Sequence, residues 1–343
     1  MSIVVIGGGA IGLLVAGRLA IAGQQPSALL ARPSSVAALS ARPLTISLKG
    51  TITAVPHLRV ASGIADLPAD CRHPDLAILC VKGYDTPGAI TTLRELGAGR
   101  TLTLQNGIGN EEILAEALGS EHVISGAITT SVDLANPSEI IVTKQGGIGL
   151  APCERTSALE PWTAALTAAG FRTQIFENYR SMKWSKALLN MLGNASAAIL
   201  GMSVAEVYAD NRLVKMERRA FREALAVMRR IGAKPIDLPS YPAALLAQAM
   251  VWLPTPVLFP LLRKVVAGGR GGKDPSLLRD LRAGRQRSEG EFLYGAIAAE
   301  SARQSLPAPV NASLWRILGG IAAGTIPWDD YRGKPETLLA AVL

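Results

Sequence analysis

Cysteine and histidine are scarce in this sequence, with three residues of each among 343. Cys71, Cys80 and Cys153 lack the spacing of a metal site or a disulfide framework, so the sequence predicts reduced thiols in a reducing cytoplasm. Because the histidines do not form a Cys/His cluster, a zinc site is not expected. We therefore expect no metal ion and a cytoplasmic location.

Charged residues are also few, at 18% against 49% hydrophobic residues, which is typical of a core-rich globular protein and not of a disordered one. The net charge is +8, but the basic residues are scattered along the chain, whereas a nucleic-acid binder gathers them in one run or stripe. An anionic ligand and a generally basic proteome explain this excess of positive charge equally well. The N-terminus lacks the charged region of a secretory signal. No nucleic-acid partner is expected.

A strongly apolar stretch, "YPAALLAQAMVWLPTPVLFPLLRKVVAGGRGGK", is broken by Pro254, Pro256 and Pro260. A transmembrane helix of about 20 residues is not expected to carry three such breaks, so no membrane partner is predicted. Residues 243–267 are instead interpreted as a lid, a pocket wall, an oligomer contact or ordinary core. A small molecule and, in a homodimer, a second copy of the chain are the partners that we expect.

The N-terminal stretch "SIVVIGGGAIGLLVAGRLAIAG" predicts a buried strand at Ile3–Ile6, a glycine-rich turn and a helix. The glycines fit the pattern G-x-G-x-x-G, in which one permits a tight turn, one lets the backbone approach a pyrophosphate and one lets the helix pack on the strand. The helix N-terminus adds free N–H groups for phosphate. Residues expected at a dinucleotide are Gly7, Gly9, Ala10, Ile11 and Gly12.

The next predicted strand, "SALLARPSS", ends in Arg32. NAD sites usually place Asp or Glu here for the ribose hydroxyls, whereas a guanidinium matches a 2′-phosphate. The sequence therefore favours NADP(H) over NAD(H). In the alternative interpretation, Arg32 is a solvated loop charge.

Two further predicted strands, in "DLAILCVKGYDT" and "TLTLQNGIGNEEIL", are followed by Lys82 and Asn106. In open parallel sheets, ligands bind at the carboxyl ends of the strands. The pair Asn106–Gly107 is also a common turn, which leaves a purely structural interpretation open. "EIIVTKQGGIGLAP" and "RTQIFE" are interpreted as later strands with a helix over about Thr156–Ala169 between them. We predict a Rossmann-type dinucleotide-binding domain over residues 1–177.

After Tyr179 the patterns become helical, over 180–200, 204–232, 276–304 and 311–323, so residues 178–343 are predicted to form a mostly helical domain. In "MKWSKALLNMLGNASAAILGM", Lys186, Asn190 and Asn194 recur at steps of four and would share one face of a helix. This stripe faces either solvent or a cavity that holds polar atoms, because buried Lys and amide groups need partners.

The later stretch "GGKDPSLLRDLRAGRQRSEGEFLYG" contains Ser276 at the start of a predicted helix and Glu289 further along it. A carboxylate at Glu289 is a natural partner for a buried Lys186. The alternative is that both are surface charges, as most Lys and Glu residues are.

Taken in series, "GGGAIG", "VKGYDT", "LQNGIGN", "KWSKALLNMLGN", "PSLLRDLRAGR" and "SEGEFLYG" resemble the ketopantoate reductase (2-dehydropantoate 2-reductase) family. The resemblance covers nearly the whole chain. It implies an α/β protein in which an N-terminal Rossmann-type domain precedes a helical domain, and an enzyme that reduces a 2-keto acid with NADPH. An NADP-dependent oxidoreductase of pantothenate biosynthesis is therefore the leading hypothesis.

The resemblance also implies roles for individual residues. Lys186 matches the family's general acid, and Glu289, chosen over Glu291 because it keeps the spacing to Gly295, matches the acidic residue at the substrate hydroxyl. Polar residues implied to line the site are Asn106, Asn190, Asn194 and Ser276; those implied to bind cofactor are Gly7, Gly9, Gly12, Arg32 and Lys82. Asn106 is expected to contact the cofactor as well as the substrate.

The chain departs from the family at Lys273, where many members have Asn. Lys273 is a second candidate cation for the substrate carboxylate. With the long apolar segment, it favours an alternative in which a bulkier or more apolar keto acid is reduced. The alternative that is not an enzyme is a non-catalytic module that senses NADP(H).

Overall fold

The computed structural model describes residues 1–154, 158–267 and 274–342. The chain divides into two compact units. The first comprises Met1–Lys183 with the short segment Leu238–Tyr241, and the second comprises Trp184–Asp237 and the described residues from Pro242 onward. The division falls inside one helix, at Tyr179–Met191.

An eight-stranded sheet forms the centre of the first unit, with the order β12-β11-β8-β7-β6-β1-β2-β5. Neighbouring strands are parallel except for β8 and β11, which pair antiparallel. This confirms the Rossmann-type prediction. The strands are β1 (Ile3–Ile6), β2 (Ser27–Leu30), β5 (Val60–Ala61), β6 (Leu76–Leu79), β7 (Arg100–Thr103), β8 (Val123–Ile128), β11 (Ile148–Pro152) and β12 (Thr173–Ile175).

A second, four-stranded sheet was not predicted from the sequence. Its order is β4-β3-β10-β9, with β3 at Thr45–Leu48, β4 at Thr51–Ala54, β9 at Ser131–Asn136 and β10 at Glu139–Lys144. The stretch "EIIVTKQGGIGLAP" therefore supplies strands to two different sheets, β10 and β11. Ile46 and Ile140 are opposite each other in β3 and β10 and are buried, so one face of this sheet belongs to the core of the first unit.

The helices of the first unit are α1 (Ala10–Ile21), α2 (Pro33–Ala41), α3 (Thr86–Leu96), α4 (Asn110–Leu118), α5 (Glu160–Ala168) and the start of α6 (Tyr179–Met191). The predicted helix from Thr156 is shorter than expected. It begins at Glu160, with a proline in its first turn, and residues 155–157 lie outside the described chain.

The regular elements described in the second unit are helices, which confirms a helical C-terminal region. They are the rest of α6, then α7 (Asn194–Leu200), α8 (Val204–Ala209), α9 (Asn211–Arg230), α10 (Ala243–Trp252), α11 (Thr255–Leu262), α12 (Ser276–Arg282), α13 (Tyr294–Arg303), α14 (Pro309–Ala323) and α15 (Pro335–Val342).

The structure interrupts three of the four predicted helical segments. Gly193, with φ +63°, separates α6 from α7, and the Asp210 side chain caps the start of α9 by accepting a hydrogen bond from the Arg212 N–H. In the third segment, α12 is followed by Gly284, with φ +66°, and by a short 3₁₀ turn before α13 begins at Tyr294. Left-handed glycines and polar caps end helices even where the apolar pattern continues.

The apolar segment 243–267 forms α10 and α11 and one further turn. Pro254 lies between the helices and Pro260 lies inside α11, which explains why the segment is not one long helix. Met250 and Leu258 are buried in the second unit, whereas Trp252 is 79% exposed. Among the described residues, none of the helices has the length and apolar character needed to cross a membrane.

Candidate active site

The turn from β1 to α1 shows why glycine is required at two positions. A Cβ on Gly12 would lie 1.8 Å from the carbonyl oxygen of Gly7, and Gly7 itself has φ +116°. Gly9 differs, because a Cβ there would meet no atom within 4 Å. Gly7 and Gly12 are thus required by the turn itself, whereas the space at Gly9 is open to a ligand.

The N-terminus of α1 has the features of an anion site. Gly9 is the N-cap residue and no side chain caps the helix. The first turn, which contains Ala10 and Ile11, has no acidic residue. Because the first N–H groups of a helix have no intrahelical acceptor, they and the helix dipole can hold a pyrophosphate.

Arg32 follows β2, directly after Ala31, and its backbone carbonyl accepts hydrogen bonds from Ser35 and Val36 at the start of α2. The side chain is exposed and has no hydrogen bond or ion pair with the part of the chain that the structure describes. β2 pairs with β1 in register, so Arg32 lies at the same edge of the sheet as the glycine turn.

Lys82 follows β6, which is next to β1 on its other side, and Asn106 follows β7, which is next to β6. Both side chains are half-buried. The amide of Gln105 donates to the Lys82 carbonyl at 3.3 Å and to the Thr86 hydroxyl at 2.8 Å, and it thereby joins the two loops. The structure thus brings the predicted cofactor-binding residues to the carboxyl ends of four adjacent strands.

The loop after β7 is closed by its own side chains. The Asn110 amide donates to the Asn106 carbonyl at 3.1 Å, and its oxygen accepts from the Thr86 hydroxyl at 3.1 Å. Gly107 and Gly109 both have positive φ, at +90° and +101°. The Asn106–Gly107 pair therefore forms a turn, and this turn presents Asn106 at the strand ends.

In the second unit, α6 carries Lys186 and Asn190, both half-buried. The prediction that Asn194 continues the same helical stripe is wrong, because α6 ends at Met191 and Asn194 begins α7. The Asn194 amide donates to the Asn190 carbonyl at 3.1 Å, and its oxygen accepts from the Leu277 N–H at 3.3 Å. Asn194 thus connects the end of α6 to the first turn of α12.

Two buried residues that sequence reasoning missed hold this break in the helix. Glu217 on α9 accepts hydrogen bonds from the Gly193 N–H at 2.8 Å and from the Ser196 hydroxyl. The Tyr294 hydroxyl donates to the Met191 carbonyl at 2.5 Å and accepts from the Ala195 N–H at 3.1 Å. Tyr294 lies in the motif "SEGEFLYG", but its position in the sequence does not indicate that its hydroxyl binds the backbone between α6 and α7.

Ser276 is the half-buried first residue of α12, next to the Leu277 N–H that Asn194 binds. Glu289 begins a short 3₁₀ turn and is only 7% exposed. Glu291 is instead exposed and lies 3.9 Å from Arg287, as a surface charge does. Lys273 lies outside the described residues.

The fully buried lysine of α6 is Lys183 and not Lys186. The Lys183 side chain is 3% exposed and lies 3.1 Å from the carboxylate of Glu111, which is 1% exposed. Sequence reasoning missed this pair. Its only local signal is a lysine inside an apolar run, because the partner comes from a distant helix.

The cysteines are free, and burial raises the pKa of the Cys71 and Cys153 thiols and raises that of Cys80 to about 12. They are therefore neutral thiols near pH 7. In the described parts of the chain, no group of three or more His, Cys, Asp or Glu side chains could hold a metal ion.

Two family models match this chain, and named proteins resemble it over most of its length. The model of the family "Ketopantoate reductase PanE/ApbA" matches residues 3–155, and the model of its C-terminal domain matches residues 178–322. A 2-dehydropantoate 2-reductase of Pyrococcus horikoshii is 28% identical over 323 residues, which cover 93% of this chain and 96% of that protein. One of Archaeoglobus fulgidus is 28% identical over 328 residues, covering 93% and 97%.

Solved structures show the same fold. The ketopantoate reductase of the PanE/ApbA family from Ralstonia eutropha superposes with a TM-score of 0.78 at 25% identity, covering 94% of this chain and 99% of that one. A D-mandelate dehydrogenase, solved with NADH and anilino(oxo)acetate, superposes with a TM-score of 0.78 at 19% identity and the same coverage.

The glycine turn at the end of a parallel strand and the uncapped N-terminus of α1 are features of the class of dinucleotide-binding oxidoreductases. Within that class, the chain belongs to the ketopantoate reductase family, whose two domain models together match most of its length. The protein is therefore an oxidoreductase that uses a nicotinamide dinucleotide and acts on a keto acid. This confirms the family prediction.

Proposed function

We propose that this protein reduces a 2-keto acid to a 2-hydroxy acid with NADPH, and that its substrate is 2-dehydropantoate, which it converts to pantoate. The observation that carries the proposal is the placement of half-buried Lys186 and Asn190 on α6, with Asn194 hydrogen-bonded to the end of that helix. Relatives named 2-dehydropantoate 2-reductase, aligned over nearly the full chain, support the choice of substrate.

The residues of the first unit fit NADP(H). The first turn of α1 and the open space at Gly9 suit the pyrophosphate. The exposed Arg32 guanidinium suits a 2′-phosphate, and no carboxylate stands at that position for the ribose hydroxyls of NAD. We assign Lys82 and Asn106 to the nicotinamide half of the cofactor.

When bound, the nicotinamide supplies a hydride to the keto carbon of the substrate. The Lys186 ammonium stabilises the negative charge that develops on the substrate oxygen and then donates the proton that completes the hydroxyl group. The Glu289 carboxylate accepts a hydrogen bond from that hydroxyl. Ser276 and Lys273 are the proposed partners of the substrate carboxylate.

The two asparagines have different parts in this proposal. Asn190 offers a half-buried amide on the same helix as Lys186. The oxygen of Asn194 and one of its N–H groups are already bonded to the protein. Asn194 can therefore offer substrate its second N–H, and its main contribution is to hold Asn190 and Ser276 in place.

The experiment that tests this function is a steady-state assay of NADPH oxidation by the purified chain with 2-dehydropantoate and other 2-keto acids. We expect turnover, with NADPH preferred to NADH. Binding of NADPH without turnover of any keto acid would favour the NADP(H)-sensing alternative. Family membership argues for the enzyme. The buried Glu289 does so as well, since a sensor that only binds NADP(H) has no need of a carboxylate for the substrate hydroxyl.

Arg32→Ala is expected to weaken NADPH binding by about 10-fold to 150-fold, the range of about 1.5–3 kcal/mol for a charge-assisted hydrogen bond. NADH affinity should change little, because NADH lacks the 2′-phosphate. Arg42→Ala is the matched control, since Arg42 is an exposed arginine at the other end of α2. An NADPH/NADH preference that is unchanged in Arg32→Ala would contradict this assignment.

A larger or more apolar keto acid is the alternative substrate. Two observations favour it: the long apolar segment of α10 and α11, and a fold neighbour named D-mandelate dehydrogenase, solved with the aryl compound anilino(oxo)acetate. Each additional methylene that a larger substrate buries in an apolar pocket contributes about 0.8 kcal/mol to its binding free energy.

The test is kcat/KM across a graded series of 2-keto acids, in wild type and in Lys273→Asn. The alternative predicts values for the larger acids that equal or exceed the value for 2-dehydropantoate. A clear maximum at 2-dehydropantoate, unaffected by Lys273→Asn, would leave the first proposal as the account of specificity.

A further inference from the structure

We propose that Lys183 is a positioning residue for this reaction, because its buried ion pair with Glu111 and its hydrogen bond to the Gln105 carbonyl hold the loop 106–110, which contains Asn106. The inference rests on the proposed function, since it concerns the binding of the same cofactor. It adds a residue pair that lies outside the set expected to contact cofactor or substrate.

The Lys183 ammonium is fully coordinated by the protein. Its Nζ lies 2.6 Å from the carbonyl oxygen of Gln105, 3.1 Å from Oε1 of Glu111 and 3.5 Å from the carbonyl oxygen of Gly126. An ammonium has three N–H donors, so each has an acceptor. This coordination suits a charged group that is 3% exposed and gives each N–H of Lys183 a protein acceptor, so Lys183 is assigned a structural role.

The carboxylate of Glu111 is stabilised on its other sides as well. Glu111 lies in the first turn of α4, where the helix dipole favours negative charge. Its Oε1 also accepts a hydrogen bond from the Ser125 hydroxyl at 2.8 Å. The pair is therefore satisfied as a unit, and removal of one partner leaves the other charge buried without its counter-ion.

The pair acts on both ends of one loop. Gln105 immediately precedes Asn106, and Glu111 immediately follows Asn110. Within the loop, Gly107 and Gly109 have positive φ and lose more conformational freedom on folding than other residues do. A loop with two such glycines needs restraint from outside, and Lys183 supplies it by binding both flanking residues.

The position of this loop identifies the part of the cofactor that it affects. Dinucleotides bind across the point where the strand order reverses, which here is β1 with β2 on one side and β6 on the other. Arg32 follows β2, so the adenosine half is assigned to that side. Asn106 follows β7, beyond β6, and therefore serves the nicotinamide half.

The test compares two ion pairs that connect the same two helices. The double variant Lys183→Met/Glu111→Gln removes the buried charges together, and Arg180→Met/Glu112→Gln removes an exposed pair, with an Nε–Oε1 distance of 3.6 Å, as the matched control. Glu111→Gln alone is measured alongside, because it keeps the shape of the side chain and an acceptor oxygen for Lys183, whereas the double variant leaves neither buried charge without a counter-ion.

In the buried-pair variants, we expect amide hydrogen exchange of residues 105–111 to accelerate by about 10-fold or more, because local opening becomes easier. We expect kcat/KM with NADPH to fall by roughly 10-fold to 100-fold, since small displacements near the reacting groups are costly. Affinity for adenosine 2′,5′-bisphosphate, which lacks the nicotinamide, should stay within about twofold, and the exposed-pair control should change none of these values.

Unchanged exchange of residues 105–111 would overturn the holding role. Faster exchange with unchanged kcat/KM would overturn the role in the reaction, and so would an equal loss of affinity for the adenosine fragment. If wild type binds NADPH but reduces no keto acid, the proposed function fails. Hydrogen exchange, and NADPH affinity compared with that of the adenosine fragment, then still decide whether Lys183 positions the loop.

Discussion

Lys186→Met is expected to lower kcat for keto-acid reduction by about 10²–10⁴-fold, the usual contribution of a general acid. The side chain is half-buried on α6 and methionine fills a similar space, so we expect the fold and NADPH affinity to persist. The measurement is stopped-flow turnover at saturating NADPH and keto acid, together with a fluorescence titration of NADPH.

Lys215→Met is the control for this variant, since Lys215 is an exposed lysine on α9. Its kcat should equal that of wild type. Turnover of Lys186→Met near the wild-type value, with intact NADPH binding, would show that another group donates the proton. Loss of folding alone would show a structural role, which thermal unfolding measures separately.

The second large effect is expected at Gly12. A Cβ at this position would lie 1.8 Å from a backbone oxygen, so the turn between β1 and α1 must shift to admit Gly12→Ala. Overpacking of this kind costs about 1–3 kcal/mol, and more where the obstacle is backbone, because the backbone cannot move aside as a side chain can. We expect lower stability in urea together with loss of NADPH binding.

Gly9→Ala is the matched comparison and should lower NADPH affinity without lowering stability. Gly9 has φ −83°, and a Cβ there meets no atom of the protein within 4 Å, so the free energy of unfolding should change by less than about 1 kcal/mol. The added methyl group would occupy the space proposed for the pyrophosphate, so NADPH affinity should still fall. Equal stability losses in the two variants would contradict this division of roles.

The features that the sequence predicted correctly are encoded locally. Ile3–Ile6, the glycines that follow and the helix after them lie within one continuous stretch, and each residue reports on its immediate neighbours. The same holds for the strands that precede Lys82 and Asn106. In each case, a short β-branched or leucine-rich run followed by polar residues was enough to predict a strand and the loop after it.

The second sheet was missed because its pairing is not local. β3 (TISL) and β4 (TITA) are four residues each and rich in Thr and Ser, so neither shows a strong apolar pattern, and all four residues of β4 are exposed. What stabilises β3 is parallel pairing with β10, which comes from a much later part of the chain. No window of sequence around Thr45–Leu48 contains that information.

The break after α6 and the burial of Lys183 could not be predicted for the same physical reason. A glycine inside a helical pattern either continues the helix or ends it, and the choice here depends on Glu217, which belongs to α9. Likewise, Lys183 is satisfied by Glu111 and by a carbonyl of the loop after β7. The regular spacing of Lys186, Asn190 and Asn194 was a real pattern in the sequence, but tertiary contacts determined its geometry.

The most direct test of the account follows the hydride itself. NADPH that carries deuterium at the transferable position of the nicotinamide is mixed with the enzyme and 2-dehydropantoate, and the product is analysed by mass spectrometry. We expect pantoate with one deuterium on the carbon that had carried the keto group, formed rapidly by wild type and very slowly by Lys186→Met. Pantoate without deuterium at that carbon, or no product from 2-dehydropantoate or any other 2-keto acid, would contradict it.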